Sequence, residues 1–501
     1  MWLSLVVLIT LCFLPFFIND LRGYFDYATR FALLAIWSRY TIGAVSDYTA
    51  DPLVGPLSPL AIHSFLIILV SPLFMKQQTL TKPFVLQFIP LLCIMLLSSV
   101  LNLSFAAVVD RLALLFFLVF VAVLVYQSLK SHGSDKVLNS LLLIHVAPFL
   151  FLVADVFVGQ PVVAANGASG YYAGYAHNVV ISNIIFCSLI IVALKRWQKK
   201  FVMFIISLVS LIALNVINYR TTVLGALPVF LSIFFDFFSK TFSKAIGITV
   251  AIIMVASVAA LWPILTDMVP DHYAEISDFY NNFGVLAKEP EELYVDELSL
   301  FSHRILFWVQ GISAWTEGSI VQKLIGFGPG AYESRFGIGA HSGFVTFLFD
   351  MGIAGVIALV VLLATQAVIS LRIEDGWLAL RALACTAGYA ILNLAAAPLL
   401  SVEGAVAFAI LVAATWAYGA EGVDQRAPRG SSRAGAVRIG DKWRTKPTTH
   451  EASPSGRSSR KGQRAGVSPM SRSTGGSPGA GRFRGNSRGS RWRPGRSPID
   501  R

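Results

Sequence analysis

The feature that most constrains this chain is a succession of apolar runs, each close to the length of a membrane-crossing helix and separated by short polar segments. A hydrocarbon core of about 30 Å takes roughly 20 apolar residues in an α-helix. Within that core every backbone N–H and C=O must be bonded internally, and runs of this length select the helix over the closed barrel. Read this way, the sequence predicts spans near 2–18, 58–75, 84–101, 109–128, 137–158, 178–194, 201–218, 221–237, 245–265, 343–371, 378–396 and 402–419. The expected fold class is all-α, a polytopic membrane helical bundle of about 12 transmembrane helices. Composition agrees: 14% of residues are charged, against about 25% in soluble domains. The first run has no basic n-region and no small-residue cleavage site, so it is expected to be a retained helix. Residues 31–46 are expected to lie at the interface, because Ser38 and Arg39 interrupt the apolar run.

The net charge of +12 is unevenly placed. Residues 421–501 hold 19 of the 40 Lys+Arg and 5 of the 28 Asp+Glu, so the remainder is close to neutral. The high pI belongs to this tail. Gly, Ser, Pro and Arg dominate the tail, with too little apolar surface to offset chain entropy, and it is expected to be a disordered cytoplasmic extension. Its few aromatic residues argue against nucleic-acid binding and for contact with an anionic lipid leaflet. Basic clusters at Lys76/Lys82, Lys130/Lys136, Lys195–Lys200, Lys240/Lys244 and Arg372/Arg381 all fall on the tail's side of the predicted topology. The positive-inside bias makes that side, with both termini, cytoplasmic. The opposite face then carries one large loop, 266–342, with 11 acidic residues against 4 Lys/Arg. The expected organisation is a membrane domain over 1–420, including that loop, followed by the tail over 421–501. Cys12, Cys93, Cys187 and Cys385 all lie inside apolar runs, which leaves neither a disulfide framework nor a Cys-based metal site.

On the outer face arginine is the anomaly. Arg220 sits in a short turn, Asn218-Tyr219-Arg220-Thr221-Thr222, where a cation is disfavoured but a guanidinium beside hydroxyls suits phosphate. A snorkelling anchor is the structural alternative. The large loop reads His303-Arg304-Ile-Leu-Phe-Trp308, then Gly326-Phe-Gly328-Pro-Gly330, then His341-Ser342, with Gly352-Ile-Ala-Gly355 beyond. The glycines of 326–330 are expected to make a tight turn with exposed N–H groups, an anion nest. The P-loop ending is missing, so this is no nucleotide loop. Gly352 and Gly355 are expected to allow close helix packing. The acidic run Glu289, Glu291, Glu292, Asp296 and Glu297 is expected to be solvated surface and not a metal site. Asp110-Arg111, His145 and Asp155 are polar groups within or beside spans, with no role assigned.

Taken together, these residues resemble the O-antigen ligases and the related O-antigen and exopolysaccharide polymerases. The hallmark is His followed by Asn, Ser or Gln, nine residues, then Gly-x-x-Gly, where the large loop meets the next helix. His341-Ser342, residues 343–351 and Gly352-Ile353-Ala354-Gly355 match it without a gap. Arg304-x-x-x-Trp308, Gly326-x-Gly328 and Arg220-Thr221 also look like the family pattern, although Tyr219 stands where the family commonly has Ser. His177-Asn178, after GASGYYAGYA, resembles the family's glycine-rich run ending in Asn at a helix start. The match covers about 170–370. Residues 1–150 agree only in hydropathy and span count, and the tail departs from the family.

The resemblance implies an integral-membrane glycosyltransferase of the bacterial inner membrane. Its donor would be a glycan on undecaprenyl diphosphate, and its acceptor a lipid A core sugar or another repeat unit on the periplasmic side. A chain-length-regulating copolymerase is an expected partner. Neither metal nor cofactor is expected, because the lipid diphosphate is already an activated leaving group. Arg220 and Arg304 would stabilise charge on the departing diphosphate, and His341 would take the acceptor's proton or orient the diphosphate. Arg335, His177 and Asn178 are the expected substrate-binding residues. The competing reading is a lipid-linked oligosaccharide flippase or secondary transporter, against which stands the lack of two related halves. A non-catalytic assembly protein is the third.

Overall fold

The computed structural model describes residues 2–54, 57–163, 169–241, 249, 283–293 and 304–426. The described residues fall within one compact unit, Met1–Ser431. They are helical apart from a two-residue antiparallel pairing of β1 (Val162–Val163) with β2 (Ser169–Gly170). The principal helices are α1 (Trp2–Tyr24), α2 (Tyr27–Gly43), α3 (Pro59–Val70), α4 (Ile89–Asn102), α5 (Phe105–His132), α6 (Ser134–Val158), α7 (Asn178–Leu194), α8 (Lys200–Ile217) and α9 (Arg220–Thr241). They continue with α10 (Arg304–Glu317), α11 (Ile320–Ile325), α12 (Ala331–Phe336), α13 (Gly343–Leu371), α14 (Gly376–Ala395) and α15 (Val402–Arg426).

Eight segments among the described residues are long and apolar enough to cross a membrane: Pro83–Asn102, Ala107–His132, Ser134–Val158, Lys200–Ile217, Arg220–Ser239, Gly343–Leu371, Gly376–Ala395 and Val402–Gly419. Shorter apolar helices coincide with three further expected spans: Trp2–Leu14, Pro59–Phe74 and Asn178–Leu194. The expected span at 245–265 lies outside the described residues, as do His303, Asp296, Glu297 and the tail from 427 onward. The all-helical bundle is compatible with a multi-pass membrane protein. The main core is one large cluster in which α7 and α15 are buried almost all round, each enclosed by its neighbours, and two small clusters lie around the loop elements.

The stretch expected at the interface, 31–46, forms the greater part of α2, whose Leu33, Ile36, Arg39 and Tyr40 are buried against the neighbouring helices. Arg39 does not expel this helix, because Glu403 on α15 neutralises it, with Nε 3.0 Å and Nη2 2.9 Å from the same carboxylate oxygen. Leu60 O and Ser64 Oγ accept from the same guanidinium at 3.0 and 3.2 Å. Sequence periodicity cannot show a partner more than 300 positions away. The last helix, α15, continues to Arg426, past the end of its apolar span at Gly419.

The elements around the large loop are held together by close backbone approaches. α9 and α14 cross where Gly225 meets Gly388, and a Cβ on Gly388 would lie 2.2 Å from the Gly225 carbonyl oxygen. Near the end of α14, Gly343 N donates to Ala396 O at 2.7 Å, and a Cβ on Gly343 would meet Asn393 Oδ1 at 2.4 Å. One helix, α14, is therefore packed against α9 a turn and a half after Arg220 and against the start of α13 beside His341. That shared post brings two distant sequence motifs to one end of the bundle.

Candidate functional site

Arg220 is the first residue of α9, preceded by Asn218 in the left-handed region at φ 55°. The reversal that Asn permits lets α8 and α9 run antiparallel with almost no connection, which places Arg220 at a helix entrance. Tyr219, beside it, is buried, and burial pushes its phenol up while the nearby Arg304 guanidinium counteracts the shift.

Arg304 opens α10 and reaches across to this turn. Its Nη1 donates to Thr221 Oγ1 at 2.8 Å, and its guanidinium stands 5.4 Å from the centre of the Tyr219 ring. Cation–π contact of this kind contributes about 0.5–2 kcal/mol and fixes the plane of the guanidinium. Among the described residues no carboxylate lies within ion-pair distance of Arg304. The hydroxyl of Thr222 is buried and makes no hydrogen bond among the described residues. This corner thus holds a cation and an unused hydroxyl, an arrangement suited to an anionic oxygen.

His341 comes to the same place from the other side of the loop. The Phe307 ring, one turn along α10 from Arg304, lies 5.9 Å from the imidazole. Trp308 Nε1 donates to Ala340 O at 3.0 Å, and Ser342 caps α13 by accepting from Val345 N at 3.3 Å. Between these two anchors His341 adopts φ 51°. A non-glycine residue there costs on the order of 1–3 kcal/mol and persists only where its surroundings over-determine it. Partial burial holds the His341 imidazole below its ordinary range, and the nearby Arg304 and His177 depress it further. The ring is therefore neutral at neutral pH, able to accept a proton.

His177 precedes α7 at the N-cap position in extended conformation, but its side chain makes no capping bond. It faces His341 closely enough to act on its titration. Asn178 begins α7 and is half-buried, its carbonyl oxygen accepting from Ser182 Oγ at 2.7 Å. Four of the expected residues, Arg220, Arg304, His341 and His177, thus share one end of the bundle, linked through Thr221 and through mutual electrostatics. Arg335 does not join them: its described contacts are with an aromatic group, 5.9 Å from Phe327, 5.6 Å from Phe336 and 6.0 Å from Phe349.

The glycine turn departs from expectation in an informative way. The N–H groups of Gly330 and Tyr332 do converge on an anion, but it is the chain's own Asp350, whose two carboxylate oxygens each accept at 2.9 Å. Gly328 N adds a bond to Asp350 O at 3.0 Å, and Ser98 Oγ a further one at 2.9 Å. The nest is filled from within and organises the loop. Gly352 allows the close approach expected of it and also breaks α13, with φ 65° and ψ −166°. A Cβ there would lie 2.4 Å from the Leu324 carbonyl carbon and 2.5 Å from Ile325 N. Asp350 itself was not singled out in the sequence, although an acidic residue inside an apolar helix is a signal worth following.

The other polar suspects have structural partners. Arg111 pairs with Glu333 at 3.0 Å rather than with Asp110. Asp155 Oδ2 accepts from Ala173 N at 2.8 Å, pinning the segment before His177. His145 Nδ1 bonds Leu141 O at 2.7 Å. Glu289, Glu291 and Glu292 are exposed, and Glu289 with Glu292 forms a capping box. Among the described residues no group of three or more His, Cys, Asp or Glu side chains could hold a metal ion. No protein-family model matches the chain, and no curated protein sequence matches it.

Proposed function

We propose that this chain transfers or polymerises a polyprenyl-diphosphate-linked glycan on the periplasmic side of the bacterial inner membrane, as a polysaccharide polymerase or O-antigen-ligase-like enzyme. The observation that carries this reading is the Arg304–Thr221 bond at 2.8 Å, which ties the Arg220 turn to the loop that presents His341. In the reaction, the bond between the sugar's anomeric carbon and the diphosphate oxygen breaks, and a bond from that carbon to the acceptor hydroxyl oxygen forms. The acceptor proton passes to His341 Nδ1 or Nε2, and the electron pair leaves with the diphosphate. Arg304 and Arg220 stabilise the charge that develops on the leaving group, as fixed donors do in a partly dry site. His177 and Asn178 bind substrate beside them, while Arg335, on its aromatic bed, serves a more distant part of the glycan. The activity would require neither metal nor cofactor, and a copolymerase would set product length.

The test is direct. Purified full-length protein in liposomes is given a fluorescent glycan on undecaprenyl diphosphate and a glycan or lipid A core acceptor. Release of undecaprenyl diphosphate coupled to product, lost in His341→Ala, supports the reading; equal product from the wild type and that variant at equal expression overturns it. A flippase or transporter reading draws on a different observation. Asp236 is fully buried, with Lys200 Nζ at 2.8 Å and Arg381 Nε at 3.5 Å, and buried ionisable groups mark many transport paths. Translocation of the labelled lipid without any new glycosidic bond would favour it.

A further inference from the structure

The short helix α11 has an apolar face that nothing among the described residues covers. Ile320 is 78% exposed, Val321 52% and Leu324 51%. In a water-exposed cap such residues would be unfavourable, at about 25 cal/mol for each Å² of apolar surface, and three within five positions make a contiguous patch. The backbone of α11 is nevertheless rigidly placed. Ser319 caps it through a reciprocal capping box with Gln322, and Trp315 Nε1 donates to Lys323 O at 3.1 Å.

Its height is set by two membrane-length helices. The Leu324–Ile325 backbone rests on Gly352, the break in α13. From that break to Leu371 is about 20 residues, or ~30 Å of helix, the thickness of one hydrocarbon core. Asn102, the last residue of the Pro83–Asn102 span, donates from Nδ2 to Gly326 O at 3.0 Å, just past the end of α11. Two independent spans therefore reach their hydrocarbon limit at the level of this one helix. The apolar patch of α11 is also continuous in kind with the outward residues of those spans, Ile353 and Ile357 on α13 and Val100 and Leu101 on α4, all exposed.

We propose that α11 is an interfacial membrane anchor, its Ile320, Val321 and Leu324 side chains buried among acyl chains at the headgroup boundary of the lipid bilayer. The anchor is monotopic, in the manner of helices that lie in the interface plane. It tethers the loop carrying Arg304 and His341 at a fixed depth, through Gly318-Ser319 on one side and the Asp350-centred turn on the other. The inference concerns lipid contact alone and stands whether or not the chain transfers glycans.

The experiment is site-directed spin labelling of the full chain in phospholipid liposomes. Cys12 and Cys93, the two exposed cysteines, are replaced by alanine, and single cysteines are placed at 320, 321 or 324. Collision with oxygen, which concentrates in lipid, should exceed collision with a water-soluble nickel chelate at all three sites, as it does at a Val360→Cys control within α13. The order should invert at Glu317→Cys and Ser334→Cys. Nickel collision at 320, 321 and 324 matching those aqueous controls overturns the proposal, and so does exclusion of both agents, which would mean a protein cover such as a second copy. A benzophenone side chain at position 320, with every cysteine left in place, gives a second readout. Crosslinks to phospholipid are expected, and crosslinks only to protein refute the anchor.

Discussion

Two groups of charged residues in this molecule look alike in the sequence and are built on opposite principles. In the bundle, Arg39 is held by Glu403 at 2.9 Å, and Asp236 by Lys200 and Arg381. At the loop end, Arg304 has a hydroxyl and an aromatic face for company, and His341 has Arg304 and His177 beside it, which lower its affinity for a proton. A cation matched by a buried carboxylate completes the fold. Arg304, set among a hydroxyl and an aromatic face, is in the proposed function the cation that meets the lipid diphosphate. The contrast separates an arginine that holds the bundle together from one proposed to meet a substrate.

The sharpest way to break this contrast is at His341. His341→Ala is expected to lower glycan transfer by ~10²–10⁴-fold, the range for loss of a general base, with thermal stability in detergent unchanged. Arg304→Ala follows, with transfer down ~10²–10³-fold, as for loss of one fixed donor to a developing anion. If Arg304→Ala instead prevented insertion or unfolded the protein, the division between the two charge groups would fail. Glu403→Ala is the converse: it strands Arg39 in the bundle and should cost about 3–5 kcal/mol of stability, read as a large fall in melting temperature. Replacing the pair together, Arg39→Met with Glu403→Leu, should recover most of that loss.

Smaller effects sharpen the comparison. The lowered proton affinity of His341 has a definite sign: the ring stays neutral as pH falls past the ordinary 6.5 and is protonated only below it. The acid limb of the transfer rate should therefore lie below pH 6.5, with activity present above it and lost as pH drops through the depressed value. In His177→Ala one of the two neighbours is gone, and the limb should move upward; a limb that stays in place would remove His177 from the site. Thr221→Val should reduce transfer by about ten- to a hundredfold, the range for a hydrogen bond to a charged group, because it loosens Arg304 without removing it.

How far the site could be read in the sequence depends on the range of the forces involved. The junction of His341-Ser342 with an apolar helix was visible as a local pattern, and so was Arg220 in a tight turn. Asp350 filling the glycine nest was not, because that requires a helix residue to fold back on a loop 20 positions earlier. The partner of Arg39 was hidden for the same reason, because Glu403 lies on a helix 364 positions later.

Membrane solvation acts residue by residue. An apolar run of sufficient length has one stable solution wherever it occurs, so the helical class, the approximate positions of the spans and the helix entrance at Arg220 were already determined by the amino-acid order. Which charges cancel, which stay available, and that α14 gathers the Arg220 turn and the His341 loop at one end were decided only by packing. Those outcomes rest on contacts of a few ångströms between residues tens to hundreds of positions apart, and no local pattern encodes them.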